Sequence, residues 1–327
     1  MKRLLRSILF VKYITLALCL GVLMSCTSKI EKEIQKIPME FEFHRFDKAF
    51  ANTTEENLEA TKEAYPIFFN PSIPDSFWME KINDTLQIEL ENEVIKAFPE
   101  DTPIYETVKS VFQHIKYYIP RFEPPTVYTS TTDVAYETKV ILNGRDMVIG
   151  LDNYLGSDHY FYRGVQSYFR KNMNPDRLPV DVAIEMAAHI VAPIQDRSFL
   201  SQIIYYGKIL HMAEFWVPKA SEHLVMGFTE EEAKWARDNE EDVWRYFIEK
   251  ELLYSTEADL KQRFVDEAPF SKFYLEIDNE SPGRMGVYMG WQIVTSYMKR
   301  NDVSMEELAI LDADLIFQNS RYKPRRK

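Results

Sequence analysis

The sequence predicts an α+β domain, predominantly helical, with one small antiparallel sheet. Three observations carry that expectation. Apolar residues recur with helical spacing from about residue 55 to 119 and again from about 159 onward, Asn143-Gly144 sits between two apolar runs, and Ile37, Met39, Phe41 and Phe43 alternate with polar neighbours. With 46% hydrophobic and 28% charged residues in 327, the chain can bury a full core. No internal repeat, low-complexity tract or second linker interrupts residues 37–320, which therefore read as a single globular domain.

Taken in order, the alternating run at 37–43 predicts a half-buried strand. Helices are expected at about 55–64, 75–97 and 103–119, the last opened by Thr102 and Pro103 in cap and first-turn positions. Residues 125–131 and the stretch KVILNGRDMVIG are expected to form the antiparallel sheet, its hairpin closed by Asn143-Gly144 as two consecutive left-handed residues. Pro179 and Pro193 bracket a helix over 180–192. Thr229 with Glu232 and Ser304 with Glu307 have capping-box spacing and fix two further helix starts. Gly286 and Gly290, four apart, permit close helix packing, which in a globular chain is first an internal contact.

Charge and cysteine content narrow the function classes. Between residues 26 and 320 there are 30 Lys and Arg against 51 Asp and Glu, a net charge of -21. Such a body is a poor ligand for polyanions, so no nucleic-acid partner is expected. Cys19 and Cys26 are the only cysteines, which excludes zinc knuckles, CxxC redox pairs and disulfide frameworks. The N-terminus has the order of a secretory signal: basic MKRLLR, an apolar run of 13 residues from Tyr13 that is short for a spanning helix, then Leu23, Met24, Ser25 and Cys26. That ending resembles the bacterial lipobox. Residues 1–25 then read as a lipoprotein signal peptide, Cys26 as the lipid-bearing residue, 26–36 as a polar lipidated tether and 321–327 as a basic tail.

The segments HIKYYIPRFEPPTVYT (114–129), LDNYLGSDHYFY (151–162), KWARDNEEDVWRYFIEKELLYST (234–256) and APFSKFYLEIDNESPGR (268–284) resemble the gliding-motility lipoprotein GldB family of the Bacteroidetes. The resemblance runs over nearly the whole chain. It implies a membrane lipoprotein facing the periplasm, with protein partners in the motility and associated secretion machinery, and no established enzymatic activity.

One constellation could carry chemistry. In VDVAIEMAAHIV the polar residues are Asp181, Glu185 and His189, spaced i, i+4, i+8 on one narrow stripe of an otherwise apolar helix. EMAAH looks like a decayed HExxH: His189 stands at the second imidazole, Glu185 replaces the first, and Met186 occupies the place of the water-activating glutamate. The order of sheet and helices is similar, at the level of fold analogy, to zincin-type metallopeptidases. Glu240, which falls on the apolar stripe of the helix expected from Thr229, is a fourth potential ligand and must be either buried and paired or turned toward a cavity. Met186 cannot accept a proton, so catalysis by that route is not expected. The simpler reading of Asp181, Glu185 and His189 is a solvent-facing strip, and of Glu240 an Arg or Trp partner. His159 is expected as a cap or loop residue. Asn279, Glu280 and Arg284 are expected at a turn into a helix. No GxSxG, GxxxxGK or GxGxxG occurs, so no cofactor is expected.

The resulting expectation is a noncatalytic, lipid-anchored envelope protein. The rivals are an atypical zinc-dependent hydrolase, which needs Glu185, His189 and Glu240 together, and a periplasmic binding protein, favoured by an acidic single domain rich in aromatics.

Overall fold

The computed structural model describes residues 29–276 and 278–325, so the signal segment and Cys26 lie outside the described residues. The segment expected as a tether is in part docked. Residues 29–34 are helical, Ile34 is only 2% exposed, and Gln113 Nε2 donates to the carbonyls of Gln35 and Ile37 at 3.3 and 2.8 Å. The tether reading missed this because two isoleucines four apart, Ile30 and Ile34, in a ten-residue polar stretch are too few to set a periodic signal.

The sheet is four-stranded, in the order β1 (Phe43–Arg45), β2 (Thr126–Ser130), β4 (Asp146–Gly150), β3 (Val140–Asn143). It is mixed, which corrects the expected antiparallel arrangement. β1 pairs parallel to β2 and β2 parallel to β4, and the β3–β4 hairpin alone is antiparallel. Local turn signals report only sequence neighbours, whereas a parallel pair needs a crossover. Here the β1–β2 crossover consists of α1 (Phe46–Ala51), α2 (Leu58–Ala64), α3 (Asp75–Asn83), α4 (Thr85–Ala97) and α5 (Asp101–Tyr118). The strand expected from residue 37 begins only at Phe43.

The hairpin forms where expected, with its turn displaced by one residue. Asn143 pairs with Asp146, so the two-residue loop is Gly144-Arg145, and of these Gly144 alone has positive φ, at 61°. A glycine at the first central position with an ordinary second residue matches a II′ turn rather than the I′ turn expected.

The helix expected over 75–97 is split, and the one expected over 103–119 starts earlier. Asp84 interrupts 75–97 with an extended backbone, its carboxylate accepting from Leu86 N at 2.7 Å and Gln87 N at 3.1 Å to cap α4. Thr102 and Pro103 lie inside the first turn of α5, whose cap position is Glu100.

The main core is built on α6 (Leu178–Ile190), α7 (Phe199–Trp216) and α10 (Met285–Met298). Gly207 and Gly290 let α7 and α10 touch: a Cβ on Gly290 would lie 1.9 Å from the Ile203 carbonyl oxygen. The close packing inferred from Gly290 is thus internal. The capping boxes at Thr229–Glu232 and Ser304–Glu307 are both formed, opening α8 (Glu230–Asp238) and α11 (Met305–Ile310). The helix begun at α8 breaks at Asn239 and restarts as α9 (Glu240–Glu249). α12 (Ala313–Ser320) closes the chain, and a separate aromatic cluster of Phe46, Phe50, Phe69 and Trp78 lies under α1–α3.

Candidate functional site

The stripe on α6 faces the β3 edge, and its three residues meet three different environments. Asp181, at the first turn, is the most enclosed, with 13% of its side chain exposed. It accepts from Arg177 Nε at 2.6 Å, Lys139 Nζ at 3.2 Å and the Tyr154 hydroxyl at 3.1 Å. Lys139 also donates to the Asn172 carbonyl, and Arg177 to the Leu224 carbonyl. Burial raises the Asp181 carboxyl, but Arg177 and Lys139 outweigh it and hold the group below the ordinary carboxylate range. The lysine is shifted the other way. Burial pulls Lys139 down, Arg177 adds to that, and Asp181 opposes both incompletely. One carboxylate is shared between Arg177 and Lys139, and burial weakens the second of these as a cation.

One turn on, Glu185 Oε1 accepts from the backbone N–H of Leu142 at 2.9 Å and so satisfies an amide of the edge strand β3. His189, a further turn along and 44% exposed, places Nδ1 3.1 Å from the Glu185 carbonyl oxygen and 3.5 Å from Glu185 Oε1. Met186 points into the core, 5% exposed. The strip is therefore a graded polar seam between helix and sheet rather than a solvent face.

Glu240 lies elsewhere. It opens α9, is 2% exposed, and accepts from the Tyr288 hydroxyl at 3.1 Å, the Tyr322 hydroxyl at 2.7 Å and Arg325 N at 3.0 Å. It is buried and paired as expected: an arginine is present, Arg325 Nε lying 4.0 Å from Oε2, and the two tyrosines are closer partners. Both tyrosine hydroxyls are pushed above their usual range by burial and then by the Glu240 charge. The described part of the tail, through Arg325, is consequently held on the body instead of free.

Among the described residues no group of three or more His, Cys, Asp or Glu is placed to hold a metal. The four candidate ligands fail such a site individually: Asp181 is taken by two cations, Glu185 by a backbone amide, and Glu240 by hydroxyls of a different neighbourhood. His189 retains a free imidazole edge but no convergent second donor beyond Glu185.

A cleft of about 460 Å³ opens beside this seam, lined by Lys139, Arg177, Asp181, Glu185, Glu267 and Arg284 among others. Its rim includes the 132–138 connection, which sequence reasoning left unassigned. There Asp152, fully buried, accepts from Thr132 N at 2.9 Å and Val134 N at 2.6 Å, and holds Asp133 and Val134 at φ of 55° and 59°. A valine with positive φ is strained and persists only where its surroundings dictate it. Burial pushes the Asp152 carboxyl up against those same hydrogen bonds. His159 does act at a loop cap, accepting from Phe161 N at 3.4 Å with Nε2 3.2 Å from Glu93. Arg284 stands at the start of α10 and pairs with Glu267 at 2.9 Å.

Comparison with protein families matches the gliding motility protein GldB family over residues 27–324. The chain belongs to the GldB family. No curated protein and no solved structure matches it, so the likeness to zincin peptidases has no support outside the EMAAH segment. GldB membership extends over every element described, the seam on α6 and the Glu240 cluster included. It ties the protein to gliding motility.

Proposed function

We propose that this GldB-family protein is a noncatalytic lipoprotein of the cell envelope, anchored through Cys26 and serving the gliding apparatus and its associated secretion machinery by protein contacts. The observation that carries the reading is the family match, which begins at Thr27, directly after the residue that the lipobox-like LMSC presents for acylation. No helix among the described residues is long and apolar enough to cross a membrane, which fits attachment by lipid. The noncatalytic part is supported by the seam itself: its acids serve lysine, arginine and a backbone amide, and the residue at the general-base position is a core methionine.

The test is metabolic labelling with a clickable palmitate analogue. Parent protein should incorporate label and fractionate with membranes, while Cys26→Ser should do neither; undiminished labelling of that variant refutes the anchor. The noncatalytic reading is tested on the same protein with a broad peptide library, and cleavage abolished by chelator would overturn it.

A further inference from the structure

Lipidation at Cys26, the reading given above, fixes more than attachment. Three peptide bonds, across Thr27 and Ser28, separate Cys26 from Lys29, a reach of at most roughly 11 Å even fully extended. From Lys29 the chain does not wander. It turns into the docked segment, where Glu31 Oε2 lies 3.0 Å from His114 Nε2 and Ile34 is buried. The anchor therefore holds one side of the body within about a Debye length of the bilayer.

That side has the composition of an interfacial surface. Ile30 and Phe215 are 40% and 39% exposed. Phe215 packs edge-on against Tyr118 at 5.7 Å, and Tyr118 stacks edge-on with Tyr117 at 5.1 Å. Aromatic rings with polar tips favour the headgroup region. Lys29, Lys32 and Lys219 are exposed on or beside the docked segment, Lys219 near enough to act on Glu31. Burial raises the Glu31 carboxyl, but hydrogen bonds from Gln35 and His114, with the charges of His114 and Lys219, hold it below its ordinary value. This acid is thus already compensated. A body of net charge -21 between residues 26 and 320 is repelled by anionic headgroups, and a face presenting Lys29, Lys32 and Lys219, with Glu33 exposed beside Lys32, is repelled less, which favours this side toward the bilayer.

We propose that the face formed by Lys29, Ile30, Lys32, Tyr118, Phe215 and Lys219 rests on the phospholipid surface, leaving the charged cleft on α6 and the β3 edge to other partners. The occupant is a headgroup layer, with lysines on phosphates and aromatic rings at the acyl boundary.

The experiment uses the full lipoprotein reconstituted in phosphatidylethanolamine vesicles, with and without phosphatidylglycerol. Phe215→Cys is labelled with an environment-sensitive fluorophore and compared with a label at Glu56→Cys, in the loop before α2. Lipids carrying a headgroup quencher should quench the first label severalfold more than the second. Amine acetylation of Lys29, Lys32 and Lys219 should slow severalfold relative to Lys250. A folding defect in Phe215→Cys is bypassed by the acetylation arm, which needs no substitution. Protein that does not float with vesicles sinks the anchor reading and this face with it. Protein that floats but shows equal quenching and equal acetylation sinks the face alone.

Discussion

The two acids and the imidazole of the α6 seam should respond to substitution in the order of their enclosure. Asp181→Asn removes the one anion shared by Lys139 and Arg177, whose side chains are 13% and 6% exposed, and leaves both cations without a counter-charge. Removing one partner of a buried pair costs about 3–5 kcal/mol. For a domain of this size that corresponds to a fall in Tm on the order of 10 °C. Lys139→Met should cost far less, because burial already disfavours the ammonium and Asp181 keeps Arg177. Glu185→Ala strands the Leu142 amide at a partly exposed edge, for about 1 kcal/mol. His189→Ala, at 44% exposure, should fall within about 0.5 kcal/mol of the parent. The assay is thermal and chemical unfolding of the four variants, repeated across pH. The folded-state pKa of Asp181 is depressed, so its contribution is present above the unfolded value near 3.9 and is lost as pH falls through the folded one. Asp181→Asn should therefore lack that acid-limb dependence. A neutral Asp181→Asn would mean that the centre is solvated. A large loss at His189, especially one sensitive to chelator, would mean that the imidazole holds something the geometry does not show.

Three other outcomes follow from separate features. Burial, with the charge of Lys299 adding to it, pulls His211 from 6.5 to about 4. Its contribution is full above about pH 6.5 and is lost as pH falls toward 4, a change on the order of 3 kcal/mol that denaturant titrations of parent and His211→Leu would reveal by difference. Gly290→Ala puts a methyl 1.9 Å from the Ile203 carbonyl oxygen and should destabilise by on the order of 3 kcal/mol, read as a lower denaturant midpoint at constant m-value. A Cβ at Gly144 meets no atom within 4 Å, so the cost of Gly144→Val, about 1 kcal/mol or more, comes chiefly from φ; an unchanged Tm would refute the turn geometry.

What the sequence made legible was what short-range chemistry determines. The capping boxes at Thr229 and Ser304, the hairpin at residues 143–146 and the apolar faces of the long helices each depend on residues within one turn or one loop of each other. What it hid depended on distant partners. The parallel pairing of β1 with β2 joins Phe43 to Val127 across five helices, and no local pattern encodes that choice. The breaks at Asp84 and Asn239 were hidden for another reason. Apolar periodicity continues across both; at Asp84 the cap is a single side chain, and that residue ahead of Thr85 was the available signal, whereas Asn239 makes no side-chain cap on the helix it opens.

The α6 stripe shows where spacing stops being chemistry. An i, i+4, i+8 pattern places Asp181, Glu185 and His189 on one face of a helix, and they do share it. The pattern is silent about what opposes that face. A metal site needs lone pairs converging on one open point, whereas here the surroundings supply donors: an ammonium, a phenol and a backbone amide from the facing elements, and the guanidinium of Arg177 from the helix's own N-cap. Every donor that faces a carboxylate oxygen uses up a lone pair a metal would need. The same logic governs Glu240, whose burial followed from its place among apolar neighbours but whose partners, Tyr288 and Tyr322, arrive from α10 and the tail. In both cases the acid's position was readable from its own helix and its role was not, because the role is set by the element packed across from it.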